Sequence, residues 1–255
     1  MDIEQVLNAY RHEAREVAWA NEHVECLSGV TRRASSDGKL NWVTAFGLDS
    51  QSADAAIQTE INHFKQAERD FEWKVFSFDQ PNDLLQRLRS AGFTVDDKEA
   101  IVIYDLENGL VPFEGPFLCQ VKRVSNSELL ADFRAVAARV FNKDYSLTTN
   151  QLADALAAGR RGHDGYVGYL DGEPVSVGRL YTDPNSQFAG LYGGGTLPEH
   201  RSKGCYRALT AARAKDAAEW GARYLQVDAL PTSLPILLRL GFVQIAETWA
   251  CTLEE

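Results

Sequence analysis

Apolar residues near the N-terminus recur at three- and four-residue steps: Ile3, Val6, Leu7, Tyr10, Ala14, Val17 and Ala18. That is the period of an amphipathic helix. Asp2, with Gln5 three residues on, has the form of a capped helix start. Extended segments are predicted over 23–31 and 39–48, separated by the polar turn Ser35-Ser36-Asp37-Gly38. A helix over 53–70 follows, then a short apolar run over 73–78. A helix over 82–91 stops at Gly92, and an extended stretch covers 101–106.

Residues 107–116 (ENGLVPFEGP) hold two Gly and two Pro and read as a linker. This predicts domains over 1–114 and 115–255. After the linker the pattern gives a strand over 117–123 and a helix over 127–141 capped by Ser125 or Asn126. A helix over 150–158 comes next. Strands over 165–170 and 174–181 are joined by Asp171-Gly172, a two-residue hairpin signal. A strand over 188–196, a helix over 206–220, a strand over 224–227, a helix over 234–240 stopped by Gly241 and a final extended stretch over 242–253 complete the chain.

The halves echo each other. Leu84 to Phe93 (LLQRLRSAGF) resembles Leu234 to Phe242 (LPILLRLGF), each preceded at similar spacing by a long helix and a short strand. An internal duplication is expected. Trp19, Trp42, Phe46, Phe71 and Trp73 are expected mainly in the core of the first half.

Composition narrows the classes. With 45% apolar and 24% charged residues, the 255-residue chain reads as soluble and globular. A net charge of −10 argues against non-specific nucleic-acid or anionic-membrane binding, while leaving room for a local anion site. Cys26, Cys119, Cys205 and Cys251 show no metal-ligand spacing and no disulfide framework. No apolar signal segment or membrane-length run is present, so a reduced, cytoplasmic setting is expected.

The chemistry concentrates between Tyr192 and Thr210 (YGGGTLPEHRSKGCYRALT). Gly193, Gly194 and Gly195 at the end of a predicted strand mark a bulge or a close backbone approach. The loop that follows opens a helix through Arg201, Ser202, Lys203 and Gly204. Backbone N–H groups at a helix start, flanked by two cations, suit a phosphate or pyrophosphate. The first half has Asp49-Ser-Gln-Ser-Ala-Asp54 at the equivalent place, with two carboxylates and no basic residue. One anion site, in the second half, is expected. A P-loop nucleotide site is disfavoured, because GxxxxGK[ST] is absent.

Arg201-Ser-Lys-Gly204-Cys-Tyr206, between that strand and the helix Arg-Ala-Leu-Thr, resembles the R/Q-x-x-G-x-G/A motif of the GNAT acyltransferase superfamily. The resemblance extends over about 165–253, with the first half as a degenerate copy. It implies a mixed α/β fold of two GNAT-like units in tandem with a splayed central sheet. It further implies acetyl-CoA, or another acyl-CoA, held by Gly195, Thr196, Leu197, Arg201, Ser202, Lys203, Gly204, Cys205, Tyr206 and Arg207. The implied activity is acetyl transfer by direct attack of a primary amine of a small molecule. No metal, nucleic acid or membrane takes part, and the protein would be a monomer or homodimer.

The candidate catalytic residues are Tyr192, Asp228 and Ser233. By strand parity Tyr192 shares a face with Gly194 and Thr196; it faces either a cleft or the core. Asp228, at a strand end, serves as base or cation anchor, or caps the next turn. Thr232 and Ser233 fit N-capping of the last helix, and a hydroxyl there could also lie near the sulfur. Two departures stand out. Tyr206 replaces a small residue and would crowd the turn, and Leu237 stands where the family often has a tyrosine acid. The second departure favours an alternative, a catalytically silent CoA-binding regulatory module.

Overall fold

A computed structural model describes residues 1–16, 22–35 and 38–253. Val17, Ala18, Trp19, Ser36 and Asp37, which entered the sequence reading, lie outside the described residues. The fold is mixed α/β, with twelve strands and seven helices among the described residues. It divides into two compact units that interleave in sequence. The first is Met1–Val102, Asp228–Leu234 and Gln244–Glu255; the second is Ile103–Val227 and Pro235–Val243.

The first unit opens with α1 (Ile3–Glu16), whose start is capped by Asp2 Oδ1 accepting from Glu4 and Gln5 N–H at 3.0 and 3.3 Å. The stretch 23–31, read as one strand, is a hairpin of β1 (Glu22–Cys26) and β2 (Gly29–Ser35). The chain turns because Gly29 adopts φ +91°, and Leu27 N–H bonds Val30 C=O at 2.9 Å. β3 (Asn41–Phe46), α2 (Ala53–Gln66), β4 (Glu72–Phe76), α3 (Leu84–Ser90) and β5 (Phe93–Val95) follow. β4 runs parallel to β3, and β4 and β5 each pair antiparallel with β12 (Val243–Leu253). The core gathers Val43, Ile57, Phe64, Trp73, Leu84, Leu88 and Cys251. Phe71 and Trp73 are buried as expected, whereas Trp42 and Phe46 are half-buried.

This partition differs from the boundary at 114/115 drawn on composition. β6 (Glu99–Asp105) contributes residues to both units, and β12 zips onto β4 and β5 of the first. Composition reports where the chain is loose. It does not report which distant strand a segment will pair with.

The second unit carries β7 (Gln120–Arg123), α4 (Ser127–Phe141), α5 (Ser146–Ala157), β8 (His163–Leu170), β9 (Glu173–Tyr181), β10 (Phe188–Thr196), α6 (Cys205–Glu219), β11 (Tyr224–Ala229) and α7 (Leu234–Arg239). Strand order is β11-β10-β9-β8-β7, all antiparallel except the β10/β11 pair. Asn126 caps α4, its side chain accepting from Leu129 N–H at 2.9 Å. α5 starts four residues earlier than predicted, where Asp144 accepts from Ser146 N–H and Oγ. Asp171 and Gly172 form the predicted hairpin turn, both at positive φ. α4 and α5 cover one face of this sheet; Phe133, Val136, Leu152, Val167 and Val177 form the core between. α6 packs on the other face with Leu209 and the small Ala208, Ala214 and Ala217 buried, and the alanines let the helix approach closely.

In each unit, an antiparallel hairpin feeds a strand, a long helix, a parallel strand and a short helix. This is the order the internal echo predicts.

Candidate active site

β10 departs from regular pairing at its three glycines. Tyr192 stands opposite Arg179, and Gly195 opposite Val177. Gly193 and Gly194 therefore face Gly178 alone, a β-bulge, with Gly193 at φ +54°. The parallel ladder to β11 covers only Phe188–Gly190, so the two strands part from Leu191 onward.

The glycines are required by what packs on them from both sides. A β-carbon on Gly195 would lie 2.3 Å from Val140 Cγ1 of α4. On Gly194 it would lie 3.0 Å from Tyr206 Cε2 and 3.3 Å from Arg213 Nη2, both on α6. On Gly193 it would sit 3.1 Å from Arg179 Nε and from Tyr145 Oη. The strand end is held open by helices that reach its bare backbone.

The extra residue corrects the parity argument for Tyr192. Beyond the bulge the alternation shifts by one, so Tyr192 shares a face with Arg179 and Gly195, toward α4. Gly194 and Thr196 point to the opposite face, where Thr196 Oγ1 lies 2.8 Å from Ser176 Oγ. Tyr192 instead joins Arg179, Tyr181 and His163. Its ring meets Tyr181 edge-on at 5.4 Å, and its hydroxyl is 3.5 Å from the donor Gln226 Nε2.

The loop after β10 is a single 3₁₀ turn, Pro198–His200, followed by Arg201 in extended conformation. Ser202 at φ +63° and Gly204 at φ +81° then turn the backbone into α6. The first bond of that helix runs from Ala208 N–H to Gly204 C=O at 3.0 Å. The N–H groups of Cys205 and Arg207 lie ahead of this ladder, as at any helix start. No side chain caps Gly204. Arg201, Ser202, Lys203 and Arg207 are exposed, and Arg201 Nε reaches back to Thr196 C=O at 3.3 Å. Leu197 N–H is taken by Val175 C=O at 2.9 Å.

Tyr206 does not crowd the turn. Its ring leans over Gly194, so the bulkier residue on the helix is matched by a bare one on the strand. Cys205 is buried against Cys119, whose thiol is pushed up to about 12 by burial and by its bond to Cys205. Such a pair is inert as a nucleophile.

In the first unit the corresponding place is filled by the chain itself. Asp49 Oδ1 accepts from Gln51 N–H (3.0 Å), Ser52 N–H (2.8 Å) and Ser52 Oγ (2.7 Å). These bonds, that of Ser52 Oγ foremost, hold its carboxyl below the usual range. An external anion would find a carboxylate already on those donors.

Asp228 and Ser233 belong to the first unit. Asp228 forms an ion pair with Lys74, its side chain only 7% exposed. Beside it are Glu72, raised chiefly by burial, and Glu99, pushed up to about 7 by burial and then by the charge of Asp228. Glu99 is therefore a carboxyl that exchanges a proton near neutrality. The sequence reading missed it, because an isolated Glu ahead of an apolar strand carries no signal of burial. Ser233 Oγ donates to Leu230 C=O at 3.1 Å, so it stabilises a turn rather than capping α7. Leu237 is wholly buried in the second unit.

Residues 130–242 match the model of the acetyltransferase (GNAT) family. Among solved structures, a GCN5-related N-acetyltransferase from Kribbella flavida superposes with a TM-score of 0.72 at 17% identity, covering 100% of this chain and 96% of that one. A functionally unknown conserved protein from Staphylococcus epidermidis ATCC 12228 gives 0.71 at 16% identity, covering 94% and 96%. A tandem GNAT protein from the clavulanic acid biosynthesis pathway gives 0.56 at 12%, covering 93% and 85%. At these identities the likeness is one of fold. Curated proteins provide no match.

Proposed function

We propose that this protein, whose residues 130–242 match the model of the acetyltransferase (GNAT) family, is an acyltransferase that moves an acetyl group from acetyl-CoA, or another acyl-CoA, to a primary amine of a small molecule. The observation that carries the reading is the bulge at Gly193-Gly194, where β10 leaves β11 directly ahead of a glycine-led helix start. The features fit the group. Ser202 and Gly204 hold the left-handed turns that present successive N–H groups, and Arg201, Lys203 and Arg207 offer exposed positive charge to a diphosphate. Gly195, Thr196 and Leu197 would border the pantetheine, with Cys205 and Tyr206 completing the helix start.

Acyl-CoA supplies an acyl group activated as a thioester. The chain's part is alignment, removal of a proton from the amine and delivery of one to the departing thiolate. Tyr192 is proposed to hold and donate a proton on the α4 side of the bulge. Asp228 is proposed to take the amine proton or anchor its ammonium, and Ser233 to act as a hydroxyl donor. A small-molecule acceptor, monomer or homodimer assembly and a cytoplasmic setting belong to the same proposal. No helix among the described residues is long and apolar enough to cross a membrane, and the four cysteines are unpaired.

Thiol release from acetyl-CoA in the presence of a broad amine panel tests the reading. Turnover above the rate of spontaneous hydrolysis supports it. The alternative of a silent CoA-binding module, which the buried Leu237 favours, predicts tight CoA binding with no amine-dependent thiol release.

A further inference from the structure

The two parallel strands of the first unit part as those of the second do. The β3/β4 ladder covers Trp42–Thr44 and Glu72–Lys74, while the strands themselves run on to Phe46 and Phe76. Their C-terminal ends, together with α1, border a cleft of about 210 Å³. Gly47 at its rim has open space beside it, since a β-carbon there would meet nothing within 4 Å. Asp49 already sits on the donors where a diphosphate would rest in this unit. The cleft therefore calls for an occupant of another kind.

Its walls are largely aromatic and its charge is positive. Arg11 and Arg15 both line it and lie four residues apart on α1, a spacing at which like charges repel. Each lays its guanidinium on a ring. Arg15 Cζ is 3.5 Å from the centroid of Phe46, and Arg11 Cζ is 4.9 Å from that of Phe78. Stacking engages the face of a guanidinium and leaves its N–H edges to donate in the plane. Arg15 meets Glu16 of its own helix only at 3.8 Å. Phe76 and Phe78 stack on each other at 5.0 Å and extend the apolar wall. The remaining ionisable group is Asp79, whose Oδ2 accepts from Phe76 N–H at 2.8 Å. Burial pushes its carboxyl up to about 7, against the lowering by that bond and by the charge of Arg11. Near neutrality it therefore carries a proton in about half the molecules, and a protonated carboxyl donates to an anion.

We propose that this cleft binds a small carboxylic acid with an apolar body, its ring or chain against Phe46, Phe76 and Phe78 and its carboxylate on the N–H edges of Arg11 and Arg15. The size agrees: an apolar cavity of about 150 Å³ takes up benzene, so about 210 Å³ suits one ring with a short acid arm. The guanidinium fork matches a planar carboxylate. A neighbouring carboxyl that shares one proton suits a single negative charge better than the two of a phosphate. The site lies wholly within the first unit and does not depend on the acyl-transfer reading.

Purified full-length protein is titrated with benzoate, phenylacetate and hexanoate. Phenylacetamide, phenethylamine and phenyl phosphate serve as the matched amide, amine and dianion. Calorimetry and saturation-transfer NMR together cover micromolar to millimolar affinities. The expected result is one-to-one binding of at least one acid, about 10-fold or more tighter than the amide, the amine or the phosphate. Arg15→Gln should weaken that binding about 10-fold or more. Arg11→Gln should act in the same direction, and because Arg11 is exposed it separates loss of binding from loss of fold. Ala14→Leu, which suits a helix, should abolish binding by filling the cleft while the thermal melt is kept. Absence of binding by every acid at millimolar concentration would overturn the proposal, as would equal binding of the amide or a preference for the amine or the phosphate. Acid binding untouched by all three variants would place the ligand elsewhere and overturn it too.

Discussion

Gly195→Ala should destabilise the second unit, and Val140→Ala should cancel most of that cost. A β-carbon at Gly195 falls 2.3 Å from Val140 Cγ1, more than 1 Å inside the usual carbon–carbon contact distance. Overpacking of this kind costs about 1–3 kcal/mol. Replacing a strand glycine by alanine returns about 0.5–1 kcal/mol through the unfolded chain. The net expected loss is about 1–2 kcal/mol. With Val140 truncated, the nearest remaining atoms are Phe141 Cζ at 3.4 Å and Val140 Cβ at 3.6 Å, which are tolerable contacts. Val140→Ala by itself removes two methyls from a half-buried site and costs about 1 kcal/mol. The double variant should therefore be no less stable than Val140→Ala, giving a coupling of about 1–2 kcal/mol. Urea denaturation of the four proteins measures it. If Gly195→Ala is as stable as the parent, or if the two costs simply add, then α4 does not hold the strand end open.

Two further predictions follow from buried groups. Burial pushes Asp79 up to about 7, against a carboxyl near 4 in the unfolded chain, so the folded state holds its proton more tightly. Stability from this group is complete below about pH 4 and is lost as pH rises from 4 to 7; Asp79→Asn, which can keep the bond from Phe76 N–H, should flatten that decline by about 4 kcal/mol in melts taken across the range. Of the four thiols, Cys26 is exposed, while Cys119 and Cys251 are each pushed up to about 12 by burial and Cys205 is buried. A native titration with a thiol reagent at pH 8 should show one fast thiol, and four only after denaturation; a fast reaction at Cys119 or Cys251 would contradict the packing.

Local signals in the sequence translated directly into structure. Asp2, Asn126 and Asp171-Gly172 act through bonds within a few residues, and each appears where it was expected. The glycine run and the turn at Gly204 were legible for the same reason. Long-range consequences were not. The pairing of β12 with β4 joins residues about 170 positions apart, and nothing in either strand specifies the other. The face of Tyr192 was misread because a bulge inserts one residue into a period of two, and sequence places the bulge without locating the shift. Asp79 and Glu99 were invisible, since their interest lies in the burial and the neighbours they acquire on folding.

The account depends on a diphosphate resting at the start of α6. Isothermal titration of CoA into the parent protein and into the Arg201→Glu/Lys203→Glu variant tests this directly. Both side chains are exposed, so the exchange changes local charge by four with little effect on folding. The account predicts saturable one-to-one binding to the parent, weakened about 30-fold or more in the variant, with the difference shrinking as salt is added. Equal affinity in the two proteins, or no binding to the parent, would contradict it.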